Sequence, residues 1–217
     1  MRQTLILLVF ALCLAGATAP SARAEGERAG DFDYYLLSLS WSPTWCALEG
    51  AQRGSPQCDP GKQFGWVLHG LWPQNERGYP SYCNTTVRNP SKTQTSAMED
   101  IMGAPGVAWY QWKKHGRCAG LEPEAYFDLA RRAYASVTRP QVLRDLGRDV
   151  TLPAKVVEQA FLEANPQLEP DMITITCRSR RIQEARVCLT RDLEPRRCGA
   201  DVIRDCTQSD ALLEAVN

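Results

Sequence analysis

Histidine is scarce in this chain, with two among 217 residues, and no CxxC pair occurs anywhere. The first scarcity confines any imidazole chemistry to His69 and His115. The second argues against a zinc site, since both imidazoles also lie away from any second cysteine at ligand spacing. A surplus of one charge is lacking too: 25 Lys and Arg stand against 25 Asp and Glu. Such a chain carries no general electrostatic coat for a polyanion, so any contact with nucleic acid must be local. Long apolar runs are confined to the start. The run over 5–15 has about half of the roughly 20 residues a membrane span needs. With Arg2 before it and Ala22-Arg23-Ala24 after it, residues 1–24 read as a secretory leader cleaved before Glu25. No membrane association is expected. Neither an internal repeat nor a low-complexity linker interrupts 25–217, which is expected to be one domain and a monomer.

Cysteine, by contrast, is plentiful. Of nine, Cys13 leaves with the leader, and Cys46, Cys58, Cys83, Cys118, Cys177, Cys188, Cys198 and Cys206 remain. An even set in an exported chain implies four disulfides formed in an oxidising compartment, periplasmic or extracellular. Their pairing cannot be deduced from spacing alone.

Along the chain, 31–41 alternates Leu37, Leu39 and Trp41 with serines and reads as a central strand. Residues 63–68 predict a second strand delivering His69 at its end, where Gly70 and Pro73 enforce a turn. The polar stretch 75–106 predicts a long surface excursion pinned by Cys83, carrying the sequon Asn84-Thr85-Thr86. A helix over 107–115 would gather Gln111, Lys114 and His115 on one face and send Lys113 elsewhere. Helical periodicity over 122–146 is broken by Pro140. Another helix begins near Pro153, with Val156, Val157, Ala160, Phe161 and Leu162 as its apolar face. The stretches 172–177 and 185–190 predict an antiparallel pair. The turn between them contains Arg178-Ser179-Arg180-Arg181 and reads as solvated.

Each histidine sits in a dense aromatic motif: Phe64-Gly65-Trp66-Val67-Leu68-His69-Gly70-Leu71-Trp72-Pro73 and Trp109-Tyr110-Gln111-Trp112-Lys113-Lys114-His115-Gly116-Arg117-Cys118. The pair resembles the two active-site segments of the ribonuclease T2 family, which contain His-Gly-Leu-Trp-Pro and Glu-Trp-x-Lys-His-Gly-Thr-Cys. The stretch 34–46, the run Gly78-Tyr79-Pro80-x-x-Cys83 and the last four cysteines extend the likeness over nearly the whole mature chain.

The resemblance implies an α+β fold, a central antiparallel sheet flanked by helices, and an endoribonuclease cutting single-stranded RNA through a 2′,3′-cyclic phosphate. Neither metal nor other cofactor is expected, and DNA, lacking the 2′-hydroxyl, is not expected to be cut. By similarity His115 is the general base and His69 the general acid, although the two roles could be exchanged. Lys114 supplies positive charge for the pentacoordinate phosphorane. Trp72 resembles the aromatic on which a base stacks.

Departures from the family pattern are Gln111 for Glu, Tyr110 for a further His, Gln74 where an acid often reads a purine edge, and Arg117 for Thr or Ser. Gln111 cannot exchange a proton, but its amide can donate to a phosphate oxygen, as Tyr110 can through its hydroxyl. The same resemblance suggests Cys83 with Cys118, Cys177 with Cys206 and Cys188 with Cys198, leaving Cys46 with Cys58. Two other classes compete. A catalytically weakened RNA-binding or toxin-like member would follow from Gln111 and Tyr110; a disulfide-rich interaction domain would explain the cysteines and leave both motifs unexplained.

Overall fold

The computed structural model describes residues 27–216, so the expected leader lies outside the described residues. The fold is α+β. Its six strands are β1 Tyr34–Trp41, β2 Trp66–Gln74, β3 Val150–Leu152, β4 Ile173–Arg178, β5 Arg181–Leu189 and β6 Ala211–Leu213. Strand β1 is central as its alternation predicts, paired antiparallel with β2 on one side and β5 on the other, and β4 continues beyond β5. Strand β6 meets β5 at one parallel pair and is followed by β3.

The helices are α1 Ser42–Trp45, α2 Lys92–Ser96, α3 Glu99–Met102, α4 Pro105–Lys114, α5 Pro123–Ser136, α6 Gln141–Arg144 and α7 Ala154–Ala164. Proline occupies the first turn of α4 and α5, where its missing N–H costs nothing. One face of the sheet carries Leu37, Leu39, Trp41, Ala185, Val187, Ile173 and Ile175. These pack with Trp112 of α4, Tyr126 and Phe127 of α5, and Val157 and Phe161 of α7 in the main core. The other face carries a small apolar cluster, Tyr34, Leu36, Cys188 and Val202, and beside it the polar surface described below.

Three expectations need correction. Strand β2 does not stop at His69; it runs through Gly70 and Pro73 to Gln74. Proline is tolerated there because β2 pairs only with β1, and a sheet edge needs no second row of donors. The excursion over 75–106 is not wholly irregular. It contains α2, started by a capping box between Ser91 and Gln94, and α3, and it buries Met98 and Met102. In α7 the buried face is Ala154, Val157 and Phe161, whereas Val156 is exposed.

All four disulfides join the pairs that the resemblance suggested: Cys46–Cys58, Cys83–Cys118, Cys177–Cys206 and Cys188–Cys198.

Candidate active site

Two irregularities in the sheet build the site. Ser38 pairs with Gly70 while Leu39 pairs with Leu68, so His69 is an extra residue in β2, a β-bulge. The bulge lets Leu68 and Leu71 both face the core, opposite Leu39 and Leu37, although they are three positions apart. A second bulge lies at Gln183. Thr176 pairs with Glu184 and Cys177 with Ile182, so Ile182 and Ala185 both reach the core while Glu184 is turned away from it.

The second motif is placed by α4, whose last residue is Lys114; His115 leaves the helix at φ −121°, and a 3-10 turn, Gly116–Ala119, follows. Each histidine is followed by a glycine for a steric reason. A Cβ on Gly70 would come within 2.3 Å of Trp72 Nε1 and 2.8 Å of Gln111 Oε1, and one on Gly116 within 2.7 Å of the Tyr126 ring. Disulfide Cys83–Cys118 ties the loop after β2 to the residue three beyond His115.

The two motifs meet in one cleft of about 480 Å³, lined among others by His69, Trp72, Gln74, Tyr79, Tyr110, Gln111, Lys114, His115 and Arg186. Trp72 lies between the histidines: its ring stacks on His115 at 5.0 Å between centroids and meets His69 edge-on at 5.1 Å. Its Nε1–H donates to Gln111 Oε1 at 2.7 Å. One face of the indole is thus occupied by His115. Gln111, whose oxygen is engaged, keeps its amide hydrogens for another partner. Gln74 is buried in the wall of the cleft and Tyr110 is exposed at its rim. Lys113 is exposed and outside the cleft lining.

The imidazoles differ in surroundings. His115 is 5% exposed and its Nδ1 is buried without a hydrogen-bond partner among the described residues. Burial first, then the positive charges of Lys114 and His69, lower its pKa from 6.5 to about 3, so it is neutral at physiological pH. His69 Nδ1 lies 2.5 Å from Glu184 Oε1, with the imidazole side chain 38% exposed. Burial alone would raise the Glu184 carboxyl. The hydrogen bond from His69 and the charges of His69 and Arg186 outweigh it and hold the group at about 2.

Sequence reading missed Glu184, Arg186 and Tyr79 as site residues. Arg186 lines the cleft, and its guanidinium lies 5.7 Å from the Trp72 ring centre. The Tyr79 ring is 5.7 Å from that of His115 and 5.9 Å from Lys114 Nζ. The signal for Tyr79 was present in the Gly-Tyr-Pro run. Glu184 carried a fainter one: Ile182, Ala185, Val187 and Leu189 fit one face only if the strand bulges between the first two.

A second cleft, of about 420 Å³, shares His69, Tyr110 and Gln111 and extends to Glu49, Arg53 and Arg178. The β4–β5 turn is exposed at Arg178, Ser179 and Arg180, as expected of a solvated turn, and its arginines are ion-paired: Arg178 with Glu49, Arg180 with Asp210 and the part-buried Arg181 with Glu214. The turn residues Ser179 and Arg180 both have positive φ, 51° and 61°, as a tight two-residue hairpin demands.

The Ribonuclease T2 family model matches residues 32–198. A ribonuclease of Aeromonas hydrophila is 41% identical over 125 residues, 58% of this chain and 55% of that protein, so the chain spans about half the length of this curated relative. Among solved structures, an RNase-related protein from Calystegia sepium superposes with a TM-score of 0.66 at 18% identity, covering 86% of this chain and 98% of that one. RNase NT, solved in complex with 5′-AMP, gives 0.59 at 20% identity, covering 83% of this chain and 97% of its own. Both histidine motifs fall within the matched residues and line one cleft, and the chain belongs to the ribonuclease T2 family.

Proposed function

We propose that this chain is an exported endoribonuclease that cleaves single-stranded RNA by transphosphorylation, working as a single-domain monomer over 25–217 after removal of the leader. The observation that carries this reading is the meeting of His69, His115 and Lys114 in one cleft, with the two imidazoles in unlike surroundings. Neutral His115 accepts the proton of the ribose 2′-hydroxyl as the 2′-oxygen attacks phosphorus. The bond from phosphorus to the 5′-oxygen breaks, and His69 gives its proton to that oxygen. A 2′,3′-cyclic phosphate and a new 5′-hydroxyl result, and water later opens the cycle with the two proton movements reversed. Lys114 stabilises the phosphorane's negative charge. Two imidazoles suffice for both transfers, so no metal is needed. Four disulfides fit export to the periplasm or the medium.

The purified mature chain should cut a defined RNA oligonucleotide in excess EDTA, leave 2′,3′-cyclic or 3′-phosphate ends, and leave DNA of the same sequence intact. Loss of cleavage on chelation with recovery on adding a divalent ion, or cleavage of the DNA, would overturn the mechanism. RNA binding without any product would instead favour a weakened binding member of the fold.

A further inference from the structure

Glu184 is 2% exposed and sits in a strand paired on both sides, opposite Ser40 of β1 and Thr176 of β4. A carboxylate buried there is costly unless its charge is compensated and both oxygens are satisfied. Both are: Oε1 faces His69 Nδ1 at 2.5 Å, and Oε2 accepts from Arg186 Nε at 2.8 Å and Nη2 at 2.6 Å.

The contact with His69 is also long in topology. His69 belongs to β2 and Glu184 to β5, with β1 between them, so the two backbones are about 10 Å apart, two strand spacings. Three deviations from an ordinary sheet allow the side chains to meet. Strand β2 bulges at His69, β5 bulges at Gln183, and the strand between presents only the small Ser38 and Ser40 in the rows beside them. Leucine at either serine would fill the trough that the two side chains cross. The two bulges also bring Leu68 and Leu71, and Ile182 and Ala185, to the core, but core packing does not call for small residues at 38 and 40 on the opposite face; a polar contact across β1 accounts for all three together.

We propose that Glu184 is the positioning residue of this site: resting on the ribonuclease reading above, it holds the proton of His69 on Nδ1, so that Nε2 faces the cleft, while Arg186 fixes the carboxylate itself. A neutral imidazole has two tautomers, and the hydrogen bond at one nitrogen decides which nitrogen is presented to a substrate. With Nδ1 committed to Glu184, Nε2 is the atom that delivers a proton to the leaving oxygen and takes one back in the hydrolytic step. Arg186 acts through Glu184: its doubly bonded guanidinium keeps Oε2 occupied, leaving Oε1 for the imidazole. The charged and titratable groups around the carboxylate are His69 from β2, Arg186 from β5 and, lining the second cleft with it, Glu49, Arg53 and Arg178.

The test uses the whole mature protein, whose two histidines make the imidazole signals simple to assign. Nitrogen NMR of the wild type should show neutral His69 with its proton on Nδ1; a proton on Nε2 overturns the proposal without any variant. In Glu184→Gln the His69 nitrogen signals should move while those of His115 stay, and kcat should fall by about 100-fold or more with KM changed little. A variant that folds, keeps the His69 spectrum and retains kcat within about twofold of wild type would overturn the role. The spectroscopic readings do not depend on turnover. A wild type that cuts no RNA therefore sinks the functional reading, whereas the His69 tautomer and its response to Glu184→Gln decide the role of Glu184.

Discussion

The strand that carries His69 and the helix that ends just before His115 meet in one cleft but treat the same side chain in opposite ways. On β2 a bulge aims a part-exposed imidazole across a neighbouring strand at a buried carboxylate. At the end of α4 the imidazole is enclosed, its inner nitrogen has no partner among the described residues, and a lysine precedes it. Trp72 stands between the rings, one face against His115 and its plane nearly perpendicular to that of His69. Backbone placement thus gives the two imidazoles unlike settings: burial keeps His115 neutral, and the bulge sets His69 against a carboxylate, the contrast on which the proposed division into base and acid rests.

The strongest way to break this contrast is to remove either ring. His115→Ala and His69→Ala should each lower kcat/KM on a dinucleotide by about 100-fold to 10000-fold, the usual worth of a positioned acid or base. The double variant should be little worse than the worse single one, since the two act in one step. If either single variant keeps near wild-type turnover, the division of labour is wrong. Next in size is the contrast between adjacent lysines. Lys114→Ala should cost about 100-fold to 1000-fold in kcat, as loss of a charge-stabilising group does. Lys113→Ala, exposed and outside the cleft lining, should change kcat by less than about twofold, within the scatter expected of a solvated side chain. Equal losses from both would show that the lysines act through general charge and not through placement.

These residues also mark what sequence could disclose. His69, His115, Lys114 and Gln111 were legible because each motif is local: a strand and a helix of fixed period display them within a few residues of one another. Strand β1 was legible for the same reason, through Leu37, Leu39 and Trp41 alternating with serines. Glu184 was not, since its partner is 115 residues away and their contact exists only after two bulges are in place. Those bulges are set by pairing, which a single strand's pattern does not contain. Gly70 and Pro73 misled in a related way. They look like turn formers, yet Gly70 is required by the close approach of Trp72 and Gln111, and Pro73 is allowed by an edge position that appears only once the sheet is assembled.

A gentler test sharpens the comparison through pH and stability. His115 is depressed from 6.5 to about 3 in the folded chain, so between those values the unfolded state binds the proton and the folded state does not. Its contribution is therefore fully present above about pH 6.5 and is lost as pH falls toward 3. Glu184, lowered from 4.5 to about 2, adds a loss in the same direction over the lower part of that window. Denaturant unfolding of wild type and His115→Gln should diverge below pH 6.5, with wild type losing up to about 1.4 kcal/mol more per pH unit, the slope of one proton. Parallel stability curves would show that His115 titrates alike in both states, and the claim that its setting keeps it neutral would fail.

Within the cleft the smallest expected effect is at Gln111, which touches both halves of the comparison. Its Oε1 accepts from Trp72, the ring that separates the histidines, and its side chain lines the cleft beside Lys114 and His115. Glutamate at this position could still accept that hydrogen bond, so Trp72 should keep its place. What changes is the amide's donor half, and a neutral hydrogen bond is worth about 0.5–1.5 kcal/mol, roughly tenfold in rate at most. At acidic pH the variant Gln111→Glu carries a protonated carboxyl that can donate as the amide does, so its kcat should stay near wild type. At neutral pH the new carboxylate would ionise, pair with Lys114 and repel the phosphorane, so the ratio of variant to wild-type kcat should fall as pH rises. A flat ratio would mean that position 111 does not face the reacting phosphate. A variant inactive at every pH, with its circular dichroism intact, would mean that the amide is an adapted part of this site and not a tolerated replacement for a carboxyl group.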